Sequence, residues 1–255
     1  MKKSLKLTWL LACSFIVTFA HITIAIARPA SGFRMAGAAD HSYTLEPSDK
    51  DSILTNSFAP VKSVYDSLQL ELNGLSRQAF DYAMKGWNKL KAQGKLLNSS
   101  VLAIVDFSKP SAEKRLFVID VDNYEVLHHT WVAHGRNSGK EKVTSFSNRP
   151  SSYQSSPGFY ITGQTYNGSN GYSLKLKGME YGINDKALKR AIVMHGADYV
   201  DPSYIESQGY IGRSMGCPAV PKEEAADIIN TLKNGSCLFI YVPHTSYTTR
   251  SKLIR

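Results

Sequence analysis

Val101-Leu102-Ala103-Ile104-Val105-Asp106-Phe107, Leu116-Phe117-Val118-Ile119-Asp120-Val121 and Val126-Leu127-His128-His129-Thr130-Trp131-Val132 are three short runs rich in β-branched and aromatic residues. Polar turns separate them, and Asp122-Asn123 between the second and third has the composition of a hairpin turn. Phe159–Thr162, Ala191–Met194 and Leu238–Val242 are further runs of the same kind. The strand beginning at Ala191 is followed by a loop that carries His195. One late helix interrupts the pattern. Pro221 starts it, Glu223 and Glu224 occupy its first turn, Ala225, Ile228, Ile229 and Leu232 share one face, and Gly235 ends it. Many strands with a single late helix predict a mostly β (α+β) domain over residues 99–243.

Before Ser100 the period changes. Val61, Val64, Tyr65, Leu68 and Leu72 follow helical spacing. Ser76 offers the N-cap of a second helix, Phe80, Ala83, Met84, Trp87 and Leu90 form its stripe, and Gly94 ends it. The two predict a helical N-terminal subdomain over residues 59–98. An apolar stripe at this spacing is the buried face of an amphipathic helix rather than a ligand site. Residues 28–58, rich in Ala, Ser, Gly and Pro, read as a flexible leader. Residues 244–255 read as a polar C-terminal tail.

The chain opens with Lys2, Lys3 and Lys6, then an apolar run from Leu7 to Ala27 that ends in the small-x-small pattern Ala25-Ile26-Ala27. This is the pattern of a signal peptide, residues 1–27, cleaved before Arg28. An uncleaved anchor is the competing reading, because the run is long enough to span a bilayer. Thr8, Thr18, His21 and Thr23 dilute it and favour cleavage. A lipoprotein site at Leu11-Ala12-Cys13 leaves only a very short apolar core before the cysteine. Cleavage removes three lysines and no acids, so the formal net charge falls from +9 to +6. A moderately basic exported protein suits a polyanionic wall or membrane surface. No Lys/Arg-rich run with interleaved aromatics points to nucleic acid.

Of the three cysteines, Cys13 leaves with the signal. A Cys217–Cys237 disulfide is the simplest reading for an oxidising compartment. Against it, Cys237 sits in the apolar run Ser236–Val242, where a buried thiol behaves as a small hydrophobe. Cys217 sits in the glycine-rich Gly212-Arg213-Ser214-Met215-Gly216-Cys217-Pro218-Ala219, 22 positions after the histidine of Met194-His195-Gly196. Cysteine attacks as the thiolate, so it needs a base or a positive field. His195 at a strand end is such a base, and it can return the proton to a leaving amine. The glycines let the chain turn sharply and aim backbone N–H groups at a developing oxyanion. The helix beginning at Pro221 adds a small favourable field.

A Cys and a His at this spacing are weak evidence alone. The wider pattern resembles the murein L,D-transpeptidase catalytic-domain family, the YkuD-like cysteine transpeptidases. His195-Gly196 and Ser214-Met215-Gly216-Cys217 carry the likeness, the latter matching Ser/Thr-x-Gly-Cys. Ser156-Pro157-Gly158-Phe159-Tyr160 resembles the family's Thr-Pro-x-Gly-x-Phe. The likeness extends through Trp131-Val132-Ala133-His134-Gly135, Phe146-Ser147-Asn148 and Gly178-Met179-Glu180-Tyr181-Gly182, covering roughly residues 100–242. It implies a YkuD-like β-sandwich or barrel with the cysteine in a tunnel beneath a flap. It also implies an acyl-enzyme on the third residue of a peptidoglycan stem tetrapeptide, formed without a cofactor. Cys217 would be nucleophile and His195 base. The Gly196 main chain or the Ser214 side chain would orient the imidazole, and the Gly216 and Cys217 N–H groups would form the oxyanion hole. Two positions depart from the commonest family motif: Met215 replaces a histidine and Ala219 an arginine. Arg213 is a candidate to supply the missing charge, weighed equally against a plain surface cation.

Arg213, His134 and Asn148 complete the candidate set as substrate contacts, with a structural role for His134 the competing reading. His128 and His129 are adjacent on a strand and face opposite sides. No His-Glu-x-x-His or paired Cys-x-x-Cys spacing supports a metal. With water as acceptor, the same site is an L,D-carboxypeptidase. A sortase-like enzyme needs a longer His-to-Cys separation and an arginine on a later strand, and a papain-like enzyme reverses the order. A non-catalytic wall-binding module is the reading from a different class. The export signal predicts mature protein starting at or near Arg28, in the periplasm or cell wall, its N-terminal segment membrane-associated only before cleavage. N-terminal sequencing checks this, and intact Met1 on cytosolic protein would contradict it.

Overall fold

The computed structural model describes residues 63–255. The expected signal peptide and leader, with Val61, lie outside the described residues. Eight strands are formed: β1 (Val101–Asp106), β2 (Leu116–Asp120), β3 (Glu125–Thr130), β4 (Gly158–Gly168), β5 (Gly171–Gly178), β6 (Val193–Ala197), β7 (Ala219–Pro221) and β8 (Cys237–Tyr241). They make one mixed sheet in the order β3-β2-β1-β8-β4-β5-β6-β7. Five helical segments accompany it: α1 (Val64–Ser67), α2 (Arg77–Ala92), α3 (Pro202–Gln208), α4 (Ala225–Leu232) and α5 (Thr245–Thr248). The fold is mostly β, as the sequence predicts.

At the centre, β1 and β8 run parallel, and every residue of both is buried. Burial on both faces is what a parallel pair needs and why these runs do not alternate. The register aligns Ile104 with Phe239 and Phe239 with Phe159, so these three share a face. Asp106 on that face accepts from the Ser76 N–H at the start of α2. The opposite face carries Thr162, whose hydroxyl donates to Leu232 O at the end of α4 (2.5 Å). Two amphipathic helices therefore cover one strand pair from both sides.

Gly86 lies in the middle of α2, where glycine costs helix stability. A Cβ there would stand 2.0 Å from the Phe159 ring, which itself stacks on Phe239 with centroids 4.2 Å apart. The missing methyl lets the helix lie directly on the sheet. The buried stripe of α2 thus belongs to the same core as the central strands.

The sheet closes on itself through the continuation of β3. Ala133 N–H donates to Ala219 O of β7 (2.8 Å), Ser214 N–H to His134 O (2.9 Å), and Arg136 N–H to Ser214 O (2.7 Å). Arg115 holds this segment from inside. It is fully buried, with Nε and Nη2 donating to Val132 O (3.1 and 2.9 Å) and Nη1 to Lys109 O (2.9 Å). Burial pushes its guanidinium down to about 9.

Several expectations are corrected. The first helix shrinks to the four residues of α1, because Gln69 turns to a positive φ and the chain folds back until the Tyr65 hydroxyl donates to Leu75 O (2.6 Å). Leu72, assigned to its stripe, is 82% exposed. His195 lies within β6 rather than in a loop after it. Pro221 ends β7 instead of starting a helix. The helix begins at Ala225. The sequence reading missed β5, where Leu174 and Leu176 alternate with outward Lys175 and Lys177, and α3, which buries no residue and so has no stripe. Residues 244–255 are no free tail, since Tyr247, Leu253 and Ile254 are buried.

Gly86→Ala is expected to destabilise the fold. Overpacking typically costs about 1–3 kcal/mol, and a ring fixed by stacking places this case near the top of that range. The gain in helix propensity is about 1 kcal/mol. Thermal unfolding checks the sign, and an unchanged or raised Tm would show that α2 shifts freely on Phe159.

Candidate active site

β6 and β7 are parallel, with His195 opposite Ala219. Cys217 precedes Ala219 by two residues, so this register brings the cysteine turn alongside the strand that carries the histidine. Cys217 and His195 open on the same cleft of about 670 Å³, together with Tyr199, Tyr204, Arg213 and Met215. The tip of the β4–β5 hairpin, Ser169-Asn170-Gly171, also lines it.

The imidazole of His195 is buried, and its Nδ1 lies 2.9 Å from Gly196 O. A carbonyl only accepts, so Nδ1 carries the proton and Nε2 keeps its lone pair. Burial lowers the histidine's pKa, opposed by the Gly196 carbonyl. The half-buried thiol moves the other way. Burial raises it, while the Val193 N–H and the charge of Arg190 favour the thiolate. Both directions favour the uncharged forms, so the pair rests as neutral imidazole and neutral thiol at neutral pH. Its sulfur lies 3.8 Å from Ala191 O.

The turn before the cysteine is shaped by Ser214. Its hydroxyl donates to Cys217 O (2.6 Å) and accepts from the Gly216 N–H (3.0 Å). The Gly216 N–H expected in an oxyanion hole is therefore already engaged, and Ser214 acts on the turn rather than on the imidazole. Gly216 has φ of +120°, and a Cβ there would lie 2.8 Å from Gln154 O. No other residue fits this position without moving the turn.

The remaining candidates are placed differently. Arg213 lines the cleft, but its Nη1 donates to Gly139 O (3.0 Å) and Arg136 O (3.2 Å). His134 does not line this cleft. It is buried with Nδ1 2.8 Å from Arg115 Nη2, and burial together with the Arg115 charge pushes it down to about 3, so it is a neutral acceptor. Asn148 does not line it either. Its amide donates to Asp185 Oδ1 (2.8 Å) in a neighbouring surface cleft. His128 and His129 bond Thr231 and the Lys114 carbonyl respectively. Among the described residues, no group of three or more His, Cys, Asp or Glu side chains is arranged to hold a metal ion. No described helix is long and apolar enough to cross a membrane.

Arg190 was missed by the sequence reading. It stands in a polar stretch without period or motif, and only the folded chain brings its charge to the cysteine turn.

A family model described as the L,D-transpeptidase catalytic domain matches residues 71–241. Among solved structures, an L,D-transpeptidase from Mycobacterium smegmatis is 16% identical over 56% of this chain and 59% of that one, with a TM-score of 0.35. L,D-transpeptidase 3 from Mycobacterium tuberculosis is 12% identical over 56% and 61%, with a TM-score of 0.35. An L,D-transpeptidase from Xylanimonas cellulosilytica is 13% identical over 60% and 68%, with a TM-score of 0.31. The chain thus spans less than two thirds of the first two of these structures. No curated protein matches it significantly.

The two described thiols should differ sharply. Cys237 is fully buried in β8 and pushed strongly up by that burial, and both cysteines are free. Native protein is expected to show one alkylatable cysteine, Cys217, whose rate rises steadily into alkaline pH because its folded pKa is raised. Peptide mapping checks this. Modification of Cys237 at the same rate would overturn the assignment.

Proposed function

The chain belongs to the L,D-transpeptidase catalytic-domain family, and we propose that it is a cysteine acyl-transferase acting on peptidoglycan stem peptides through Cys217. The observation that carries this reading is the shared cleft, in which an imidazole with its Nδ1 proton committed to Gly196 O stands one strand away from a half-buried thiol. Nε2 is left as the proton acceptor.

In this mechanism, Cys217 Sγ attacks the carbonyl carbon of the L-to-D peptide bond at the third residue of a tetrapeptide stem. Its proton passes to His195 Nε2 as the C–S bond forms. The Cys217 N–H faces the developing oxyanion, since the Gly216 N–H is held by Ser214. The C–N bond then breaks, and His195 returns the proton to the departing D-amino acid. A thioester remains. An acceptor amine attacks it, gives a proton to His195 and releases the cross-linked product, while Cys217 regains its hydrogen. With water as acceptor the product is a shortened stem. Starting from a neutral pair, proton transfer accompanies attack.

Arg213 is assigned to a substrate carboxylate at the cleft, the fork of its guanidinium suiting that group. His134 and Asn148 take structural roles in this reading, as befits their separate surroundings. A peptidoglycan substrate lies outside the cytoplasmic membrane, so export with cleavage after Ala27 is part of the proposal.

Incubation with purified tetrapeptide muropeptides, followed by mass analysis, tests it. Cys217→Ala should abolish cross-linking and D-amino acid release together. His195→Ala should lose about 10²–10⁴ in rate, the usual cost of a positioned base. Activity should fall as pH drops through the histidine's depressed pKa, where Nε2 becomes protonated. A carbapenem should leave a covalent mass on wild type and none on Cys217→Ala. Wild-type turnover by the alanine variant would defeat the mechanism. Sacculus binding by every variant with turnover by none would identify a wall-binding module instead.

A further inference from the structure

Arg190 precedes β6 and reaches beneath the cysteine turn. Its Nη1 donates to Ser147 O (2.9 Å) and Ser156 Oγ (2.5 Å). Its Nη2 donates to Gln154 O (2.7 Å) and Ser152 Oγ (3.2 Å). One guanidinium thus gathers both ends and the middle of a single loop, residues 147–156. Hydrogen bonds from a charged donor are individually stronger than neutral ones.

That loop is the floor on which the cysteine turn rests. Gln154 O, an Arg190 acceptor, lies 2.8 Å from where a Gly216 Cβ would stand, and Arg190 Nη2 itself lies 3.4 Å from that point. Ser155 Oγ donates to Gly216 O (3.3 Å) from the same loop. The main chain next to Arg190 also meets the site. Ala191 has φ of +54°, and its carbonyl is the acceptor 3.8 Å from Cys217 Sγ. A non-glycine residue at positive φ stores strain and persists only where its surroundings over-determine it. The four bonds of Arg190, one residue earlier, supply that constraint.

We propose that Arg190 is a positioning residue for Cys217, its guanidinium locking the 147–156 loop under the Gly216–Cys217 turn while its charge faces the sulfur as the thiolate forms. This rests on the reading of Cys217 as nucleophile. The charge of Arg190 opposes the burial that raises the thiol. The sulfur is faced by Arg190 and also influences Tyr199, whose phenol is itself pushed up by burial and by Cys217. His195 shares the cleft and rests neutral. Arg213 shares it too, but it is tied to the 136–139 carbonyls on the other side. Arg190 is therefore the cation that stabilises the attacking form, and the residue that holds the sulfur at one height above its loop.

Alkylation of Cys217 by iodoacetamide as a function of pH, read by mass spectrometry, tests this without a substrate. Arg190→Gln is expected to move the profile to higher pH and slow alkylation at neutral pH about tenfold, equivalent to one pKa unit. Arg190→Lys keeps the charge but loses the fork, so its profile should stay near wild type while kcat falls. Ser156→Ala removes one anchor without touching the charge and should behave like the lysine variant, more mildly. A folded Arg190→Gln with the wild-type alkylation profile would overturn the electrostatic role. Wild-type kcat in Arg190→Lys would overturn the positioning role. Should Arg190→Gln fail to fold, the lysine and Ser156 variants decide: wild-type behaviour in both refutes the proposal, and lowered kcat with an unmoved profile supports it. A wild-type enzyme inert on muropeptides would refute the transpeptidase reading, yet the alkylation comparison would still judge Arg190.

Discussion

The parallel pairing of β6 with β7 is the constraint on which the site depends. β7 is only three residues long, and a strand of that length has little stability of its own. It is held on one side by β6 and on the other by the continuation of β3, through the Ala133–Ala219 bond. The closing segment is in turn held by Arg115, whose donors meet two main-chain carbonyls without a carboxylate partner at bonding distance. A buried cation costs folding energy unless its donors are satisfied. Here the satisfaction of those donors is what fixes the path of residues 131–136, and with it the strand that ends the cysteine turn.

The turn itself is specified by polar contacts rather than by apolar packing. Ser214 joins two main-chain groups within it, and Gly216 permits an approach to Gln154 that any side chain would block. Each such hydrogen bond contributes only about 0.5–1.5 kcal/mol net, but leaving a buried group unpaired costs more. A network of this kind therefore selects one geometry more than it adds stability. This is the property that the proposed nucleophile requires beneath it, because a small displacement of the reacting atom sharply lowers the rate.

A buried carboxyl is used in the same way. Glu180, after β5, accepts from Phe159 N–H (2.8 Å) and the Tyr247 hydroxyl (3.2 Å), and also from the Ser251 hydroxyl. Burial raises its pKa, opposed by those donors. The carboxyl thereby pins the C-terminal residues against β4. Gly158-Phe159, which begins that strand, is held between α2 and this carboxyl, so the motif around Ser156–Tyr160 ties the helical face of the core to the loop under the cysteine.

How much of this was legible in the chain follows from the range of each interaction. The apolar runs Val101–Phe107 and Leu116–Val121 and the stripe of α2 declare themselves locally, because burial of both faces leaves a continuous apolar run and burial of one stripe leaves a helical period. The glycines around Cys217 and the Met194-His195-Gly196 segment likewise mark a sharp turn and a candidate base, and the likeness in those motifs was enough to name the family. Short-range patterns could not reveal that Leu72 would be left in solvent, that Pro221 would end a strand, or that α3 would form with no buried face, since each depends on what lies across the fold. Nor could they show which cation lies by the cysteine turn. Arg213 is four residues before Cys217 in the chain, yet its guanidinium turns to the 136–139 loop, while Arg190 is 27 positions before Cys217 and lies against the Gly216 turn. Sequence alone determined the kinds of element and the residue types able to do the chemistry. The tertiary structure decided which charged and main-chain groups surround the cysteine turn, because electrostatics and hydrogen bonding act over a few ångströms of space regardless of separation along the chain.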